Sequence, residues 1–167
     1  MDHDGWVVVT ELLRHRSLRQ LTLDDIKTIV VDCPKQRFQL DEADKRIRAS
    51  QGHSIALRTD DLLTPITDAS QFPIVVHGTK RKSWASIKEQ GLCRMTRNHI
   101  HFATALPRAD NVISGMRTSS NVLVYLDVAK VLEAGIPLFV SANRVVLSPG
   151  AGDGYIAPQY FLRVEFK

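Results

Sequence analysis

The sequence predicts an α+β protein built in two parts, and three observations carry that expectation. Residues 1–57 read helix, helix, strand, turn, strand, which is the outline of a winged-helix unit. Residues 58–73, RTDDLLTPITDASQFP, hold two prolines and many small polar side chains and read as a linker. From residue 74 onward short apolar runs of strand length recur, broken by two helical patterns.

The elements follow in order. Asp2, Asp4 and Gly5 form a turn, and Trp6 to Val9 continue at once as apolar chain. A natural N-terminus usually frays before it enters a core element, so a preceding segment is expected. Thr10 can cap a short helix, ELLRHR, with Leu12 and Leu13 inward. Thr22 with Asp25 three residues on makes a capping pattern, and Ile26, Ile29 and Val30 then share one helical face that Pro34 ends. KQRFQL (35–40) alternates as a strand with Phe38 and Leu40 inward. DEADKR turns the chain, and IRASQGHSI (47–55) returns as the partner strand.

Beyond the linker the strands are IVVHGT, NHIHFA, NVLVYLDV, LFVSAN, RVVLS and YFLRVEF. One helix is expected from a Ser83 cap to Gly91 with Trp84 and Ile87 inward. A second, in LDVAKVLEAG, stops at Gly135.

Composition narrows the class. The chain has 167 residues, 44% of them hydrophobic, which excludes wholesale disorder. Its 22 Lys+Arg against 18 Asp+Glu give +4, a balance that suits an anionic partner such as RNA without requiring one. Cys33 and Cys93 stand far apart in no CxxC pattern, which disfavours a disulfide framework or a zinc ribbon. No apolar stretch reaches membrane-span length, and residues 1–10 lack signal-peptide features. The expectation is a soluble, monomeric intracellular protein, cytoplasmic or nuclear, with no membrane partner.

The chemistry gathers in TRNHIHFA (96–103). With a period of two, Arg97, His99 and His101 share one strand face and Ile100 and Phe102 the other. A His-x-His pair, with His77 as a third ligand, is a plausible metal half-site. Against it, the Arg97 guanidinium would repel a divalent cation, and no nearby carboxylate offsets it. Two readings stand ahead of it: histidines satisfied by core hydrogen bonds, or, favoured over both, a cleft for an anion or nucleotide, where arginine and imidazole suit phosphate and ribose oxygens. In His77-Gly78-Thr79, glycine lets backbone approach a ligand and threonine adds a hydroxyl. Gly115-Met116-Arg117 reads equally as a phosphate loop or a surface turn. Arg37 stands beside a candidate core phenylalanine, and Gln51-Gly52-His53 sets polar donors around a glycine on the partner strand. Arg14-His15-Arg16, near a helix end, reads as a solvated face.

Taken together, KQRF, SQGHSI, VHGT, TRNHIHFA, ISGMR and SANRVVL, in that order and spacing, resemble the NAD-dependent RNA 2′-phosphotransferase family of tRNA splicing. The resemblance runs from DGWV to about SPG at residue 150. It implies a winged-helix RNA-binding lobe over 1–57, lacking its first helix, and an ADP-ribosyltransferase-like NAD-binding lobe over 74–167. It implies catalytic arginines at Arg37, holding the 2′-phosphate, and Arg97, stabilising the phosphoryl transition state. Gln51 and His53 would touch RNA. His77 would contact the NAD ribose, and His101 takes the second position of the family's NAD signature. Gly78, Thr79, His99, Gly115, Arg117, Ser141, Asn143 and Val145 complete the expected cofactor site, Val145 falling where other ADP-ribosyltransferases often place a glutamate. No metal is implied.

The implied reaction has two steps. The RNA 2′-phosphate displaces nicotinamide from NAD+, and the ribose hydroxyl then attacks phosphorus. RNA with a 2′-OH and ADP-ribose 1″,2″-cyclic phosphate result.

Two departures stand out. The family's leucine-arginine-histidine motif precedes DGWV, where this chain begins, and Arg14-His15 does not replace it. Arg144 stands where the family usually has glycine. Two other readings remain: an ADP-ribosyltransferase that caps nucleic-acid phosphate ends, and a non-catalytic RNA-binding module.

Overall fold

Strand pairing, not capping, sets where the first helix begins. The computed structural model describes residues 1–41, 43, 45–53, 63–105, 116–117 and 119–167. It opens with β1 (Val7–Val8) and α1 (Val9–Leu12). Val8, not Thr10, is the N-cap, and no side chain caps this helix. The ladder from β1 holds the chain extended through Val8, and the Val9 N–H still donates to the Lys45 carbonyl at 2.8 Å. The helix starts where that pairing stops.

The next helix, α2 (Leu23–Val31), has the expected capping box: Asp25 N–H donates to Thr22 Oγ1 at 3.2 Å and Thr22 N–H to Asp25 Oδ2 at 2.7 Å. The Thr22 N–H, and then the Thr22 hydroxyl, which also donates to Asp25 Oδ2, hold the Asp25 carboxyl below its ordinary pKa. Ile26 is buried, but Ile29 is 44% exposed, so the inward face is narrower than expected.

Next come β2 (Phe38–Leu40) and β3 (Arg46–Ala49), forming a three-stranded antiparallel sheet in the order β1-β3-β2. Residues 35–37, expected in β2, form the turn before it. Gln36 takes a left-handed φ of 43°, and its carbonyl receives the Ser50 hydroxyl while the Arg37 carbonyl receives the Ser50 N–H. Phe38, expected in the core, is 38% exposed on this small sheet. Val9, Ile26 and Ile47 form the local core, with Leu12, Leu13, Leu21, Val30 and Leu40 packed around it. The expected return strand over 47–55 ends at Ala49, and residues 54–55 lie outside the described residues.

The remaining elements are β4 (Leu63–Pro65), β5 (Val76–Thr79), α3 (Arg81–Gln90), β6 (Leu92–Cys93), β7 (Ile100–Phe102), β8 (Val122–Leu126), α4 (Val128–Glu133), β9 (Phe139–Ser141), β10 (Val146–Ser148), β11 (Tyr155–Ile156) and β12 (Phe161–Phe166). They make antiparallel sheets in the orders β4-β9-β10-β7, β12-β8-β5 and β11-β6. A bridge between Val76 and Ala103 ties the first two together.

Part of the expected linker is therefore structural. Residues 58–62 lie outside the described residues, but β4 pairs with β9, and Leu63, Ile66 and Phe72 are buried. Averaging composition over 58–73 hid three well-spaced anchors between prolines and polar side chains.

The main core joins Ile66, Phe72, Val75, Leu92, Ile100, Phe102, the alternate β8 residues Val122, Val124 and Leu126, Val131, Leu138, Val146 and Ile156. Every β8 residue is buried, as expected of a strand covered on both faces. The third helix starts earlier than Ser83, with Lys80 as N-cap, because Asn121 Oδ1 accepts the Arg81 N–H at 2.9 Å and supplies the bond a capping side chain would make. Trp84 and Ile87 pack against the core as expected. Asp127 caps α4 through the Lys130 N–H, and the chain leaves that helix at Gly135, φ +69°. Among the described residues no helix is long and apolar enough to cross a membrane.

Candidate active site

Two adjoining clefts open beside β5, β7 and α3. The larger, about 670 Å³, carries Ile87, Leu92, Cys93, Arg94, His99, Ile100 and Tyr155 on its walls. The smaller, about 370 Å³, carries Gly78, Lys80, Lys82, Met116, Ser119 and Ser120. His77, Thr79, Ser83, Arg97, His101 and Arg117 line both, so the two are one site with a shared centre.

Arg97, His99 and His101 meet there, but not as consecutive teeth of a strand. Only Ile100–Phe102 pair, opposite Val146–Ser148. Arg97 and His99 sit on the turn before β7 because the backbone spends its donors on the turn itself and on His53 rather than on a neighbouring strand. Met95 is left-handed at φ 57°, Arg97 N–H donates to the Arg94 carbonyl at 3.1 Å, and Asn98 N–H to the His53 carbonyl at 3.2 Å. Arg94 closes the turn from the other side, its Nη1 donating to the Arg97 carbonyl at 3.0 Å. Gly154 makes room for it, since a Cβ there would stand 2.7 Å from Arg94 Nε. Sequence reasoning passed over Arg94 and Tyr155. The usable signal was the Arg-x-x-Arg spacing just after the helix-ending Gly91.

The two inner histidines have defined tautomers. His77 Nδ1 lies 2.9 Å from the His101 carbonyl, and His101 Nδ1 lies 3.0 Å from the His99 carbonyl. Carbonyl oxygens only accept, so both Nδ1 atoms carry the proton and both Nε2 atoms are acceptors while the rings are neutral. Burial lowers the His77 pKa, and burial with Arg97 nearby pushes that of His101 down to about 4. Burial, then Arg94 and His53, lowers His99 as well. His101 Nε2 is buried and has no hydrogen-bond partner among the described residues. Gly52, φ +87°, lies over this atom, and a Cβ there would come within 3.6 Å of it.

A pH prediction follows from His101. Its folded pKa, about 4, lies below the ordinary 6.5, so between those values the unfolded chain binds a proton that the folded chain refuses. Stability from this group is complete above pH 6.5 and is lost as the pH falls toward 4. For a half-buried ring the loss is about 2 kcal/mol. Melting temperature should fall from pH 7 to 4, and His101→Gln should flatten that fall. Parallel profiles would contradict the assignment.

Gly78 lines the smaller cleft, but its missing side chain serves packing: a Cβ there would run into the Met116 side chain and stand 2.7 Å from Ser120 Oγ. Gly115 lies outside the described residues.

Ser141, Asn143 and Val145 are buried and do not line either cleft. Ser141 and Asn143 reach the N-terminal segment, and Val145 packs with Leu63 and Leu147. Ser141 Oγ lies 3.0 Å from Gln51 Oε1 and accepts the Val145 N–H at 3.2 Å, and Asn143 Nδ2 donates to the Lys35 carbonyl at 2.9 Å. Lys35 Nζ donates to the Met116 carbonyl, also at 2.9 Å, at the edge of the smaller cleft. Gln51 and His53 line a narrow crevice with Asn98 and His99. Arg37 is exposed and does not line either cleft; its turn is tethered to the cleft edge through Lys35.

The model of the RNA 2′-phosphotransferase, Tpt1 / KptA family matches residues 1–150. The chain belongs to this family. It is 45% identical to tRNA 2′-phosphotransferase 1 of Danio rerio over 170 aligned residues, 99% of this chain and 76% of that protein. It is 40% identical to the protein of that name from Mus musculus, covering 96% of this chain and 66% of the relative. It is 41% identical to the putative tRNA 2′-phosphotransferase of Schizosaccharomyces pombe, covering 97% of this chain and 44% of that protein.

One departure of this phosphotransferase-family chain now has a structural setting. Arg144, where glycine was expected, has φ +58° in the turn between β9 and β10, and it is exposed outside the clefts. A side chain in this region costs about 1 kcal/mol that glycine avoids. Arg144→Gly should raise stability by about 0.5–1 kcal/mol in urea unfolding, and a drop would contradict the strain.

Proposed function

We propose that this chain is an NAD-dependent RNA 2′-phosphotransferase that removes the splice-junction 2′-phosphate from tRNA in the nucleus or cytoplasm, acting as a monomer. The products would be RNA with a 2′-OH, nicotinamide and ADP-ribose 1″,2″-cyclic phosphate. In this reading the three-stranded sheet with α1 and α2 is the winged-helix lobe, and the rest is the ADP-ribosyltransferase-like lobe. One observation carries it: Arg97 lines both clefts among neutral histidines whose outer nitrogens can only accept.

The residues present fit a dinucleotide. A cleft of about 670 Å³ is within the range that holds small-molecule ligands, and its apolar wall of Ile87, Leu92, Ile100 and Tyr155 suits a ring. His101 Nε2, an acceptor with no partner among the described residues, calls for a hydroxyl donor, as a ribose supplies. When bound, NAD+ supplies an electrophilic ribose carbon and a vicinal hydroxyl.

The protein's own part is positioning and charge. His77 and His101 accept from ribose hydroxyls and so orient them. Arg97 and Arg117 face the phosphates, and Arg37 meets the 2′-phosphate as the RNA lies along the cleft edge. The attacking phosphate is already an anion, so the chemistry asks for cations where charge accumulates more than for a base.

The test is an oligonucleotide with one internal 2′-phosphate, incubated with and without NAD+. Loss of the 2′-phosphate only with NAD+ is expected. Label transfer from NAD+ onto 5′-phosphorylated RNA, with the 2′-phosphate retained, would point to end capping instead.

A further inference from the structure

We propose that the smaller cleft is a second anion site, which grips the backbone phosphate next to the reacting 2′-phosphate of the RNA. This rests on the function proposed above and deepens it, naming a contact for the polynucleotide that the expected site residues do not include.

Lys80 and Lys82 line only this cleft, whereas Arg97 and Arg117 are shared with the larger one. Thr79, Ser83, Ser119 and Ser120 add hydroxyls, and no carboxylate is among its described lining residues. Cations converging on one concavity, with no counter-charge among its described lining residues, repel one another until an anion arrives. The start of α3 adds to the imbalance. This ten-residue helix has lysine as its N-cap, arginine and lysine next, and no acidic residue in its first turn. Its positive pole would ordinarily be met by acidic side chains. Asn121 occupies one backbone donor there, at Arg81, and contributes no charge.

The chemistry of the substrate supplies the missing anion. An internal 2′-phosphate sits on a ribose whose neighbouring 3′-oxygen carries the chain's own phosphodiester. A phosphoryl group held at Arg97 therefore brings a second phosphate with it, on an adjoining carbon. The larger cleft, with its apolar wall, suits rings; the smaller, with hydroxyls and flexible point charges, suits a phosphodiester whose position varies with sequence. The competing source of the same chemistry is the pyrophosphate of the dinucleotide.

The experiment separates the two. Binding of an oligonucleotide with one internal 2′-phosphate is followed by fluorescence anisotropy across a salt series, and NAD+ binding by calorimetry. The double variant Lys80→Ala/Lys82→Ala should weaken RNA binding about tenfold near physiological salt and lower the salt slope by about 1. NAD+ affinity should hold. A charge-matched control, Lys88→Ala/Lys130→Ala, removes two exposed lysines from neither cleft and should move neither quantity.

Weakened NAD+ binding with RNA affinity intact would assign the cleft to the pyrophosphate and overturn the proposal. So would an equal effect in the control, or no effect in either. Turnover by the wild type reports separately on the proposed function. A protein that binds RNA through these lysines but never removes the 2′-phosphate refutes that function and leaves the anion site standing.

Discussion

Arg97→Ala should slow removal of the 2′-phosphate by at least ~10²-fold, the usual cost of deleting a preorganised donor from a site of developing charge. The arginine sits where the two clefts join, beside His77 and His101. Its backbone is fixed from both sides, by the Arg94 carbonyl on its N–H at 3.1 Å and by Arg94 Nη1 on its carbonyl at 3.0 Å. Its side chain is exposed, so truncation should leave melting temperature nearly unchanged. Arg97→Lys should recover only part of the rate, because an ammonium keeps the charge and loses the planar fork. Single-turnover assays with a 2′-phosphorylated oligonucleotide decide it. A rate within about threefold of wild type in Arg97→Ala would remove this residue from the chemistry.

The largest stability effect should come from Gly91→Ala. Gly91 ends α3 at φ +94°, a conformation that L side chains rarely adopt, and it approaches the Ile156 carbonyl so closely that a Cβ would collide with it. The obstacle is backbone in β11, itself paired with β6, so neither side can yield cheaply. The cost should be about 3 kcal/mol or more, a fall in melting temperature of about 10 °C for a chain of this size. Because Gly91, Leu92, Cys93 and Tyr155 all line the larger cleft, NAD+ binding should weaken in the same variant. An unchanged melting curve would show that the turn can relax.

Much of this was legible in the residues because the signals are local. The Thr22–Asp25 capping box, the stops at Gly91 and Gly135 and the apolar run of β8 each follow from chemistry within a few positions. What failed depended on distant partners. Thr10 lost its role as cap to a strand pairing set by Ile47, and Ser83 lost its own to Asn121, 40 residues beyond Arg81. The alternation of Arg97, His99 and His101 pointed to a strand face, yet Arg97 and His99 reach the cleft from a turn whose bonds run to Arg94 and His53.

The candidate site divides the same way. His77, Thr79, Arg97, His99, His101 and Arg117 converge, and the motifs named them. Ser141 and Asn143 share their motif's polarity but spend it on Gln51 and Lys35, which short-range pattern does not disclose. Lys80 and Lys82 carry no motif of their own, and Arg94 only its spacing from Arg97. They matter only because folding sets them beside residues that do.

The central claim is that neutral histidines and arginines around one cleft receive a dinucleotide beside a phosphate. Calorimetric titration of the protein with NAD+ tests it most directly. The wild type should bind one equivalent, and His77→Ala should bind at least about tenfold more weakly, as loss of a buried acceptor for a ribose hydroxyl entails. Absence of heat from the wild type, or equal affinity in His77→Ala, would contradict it.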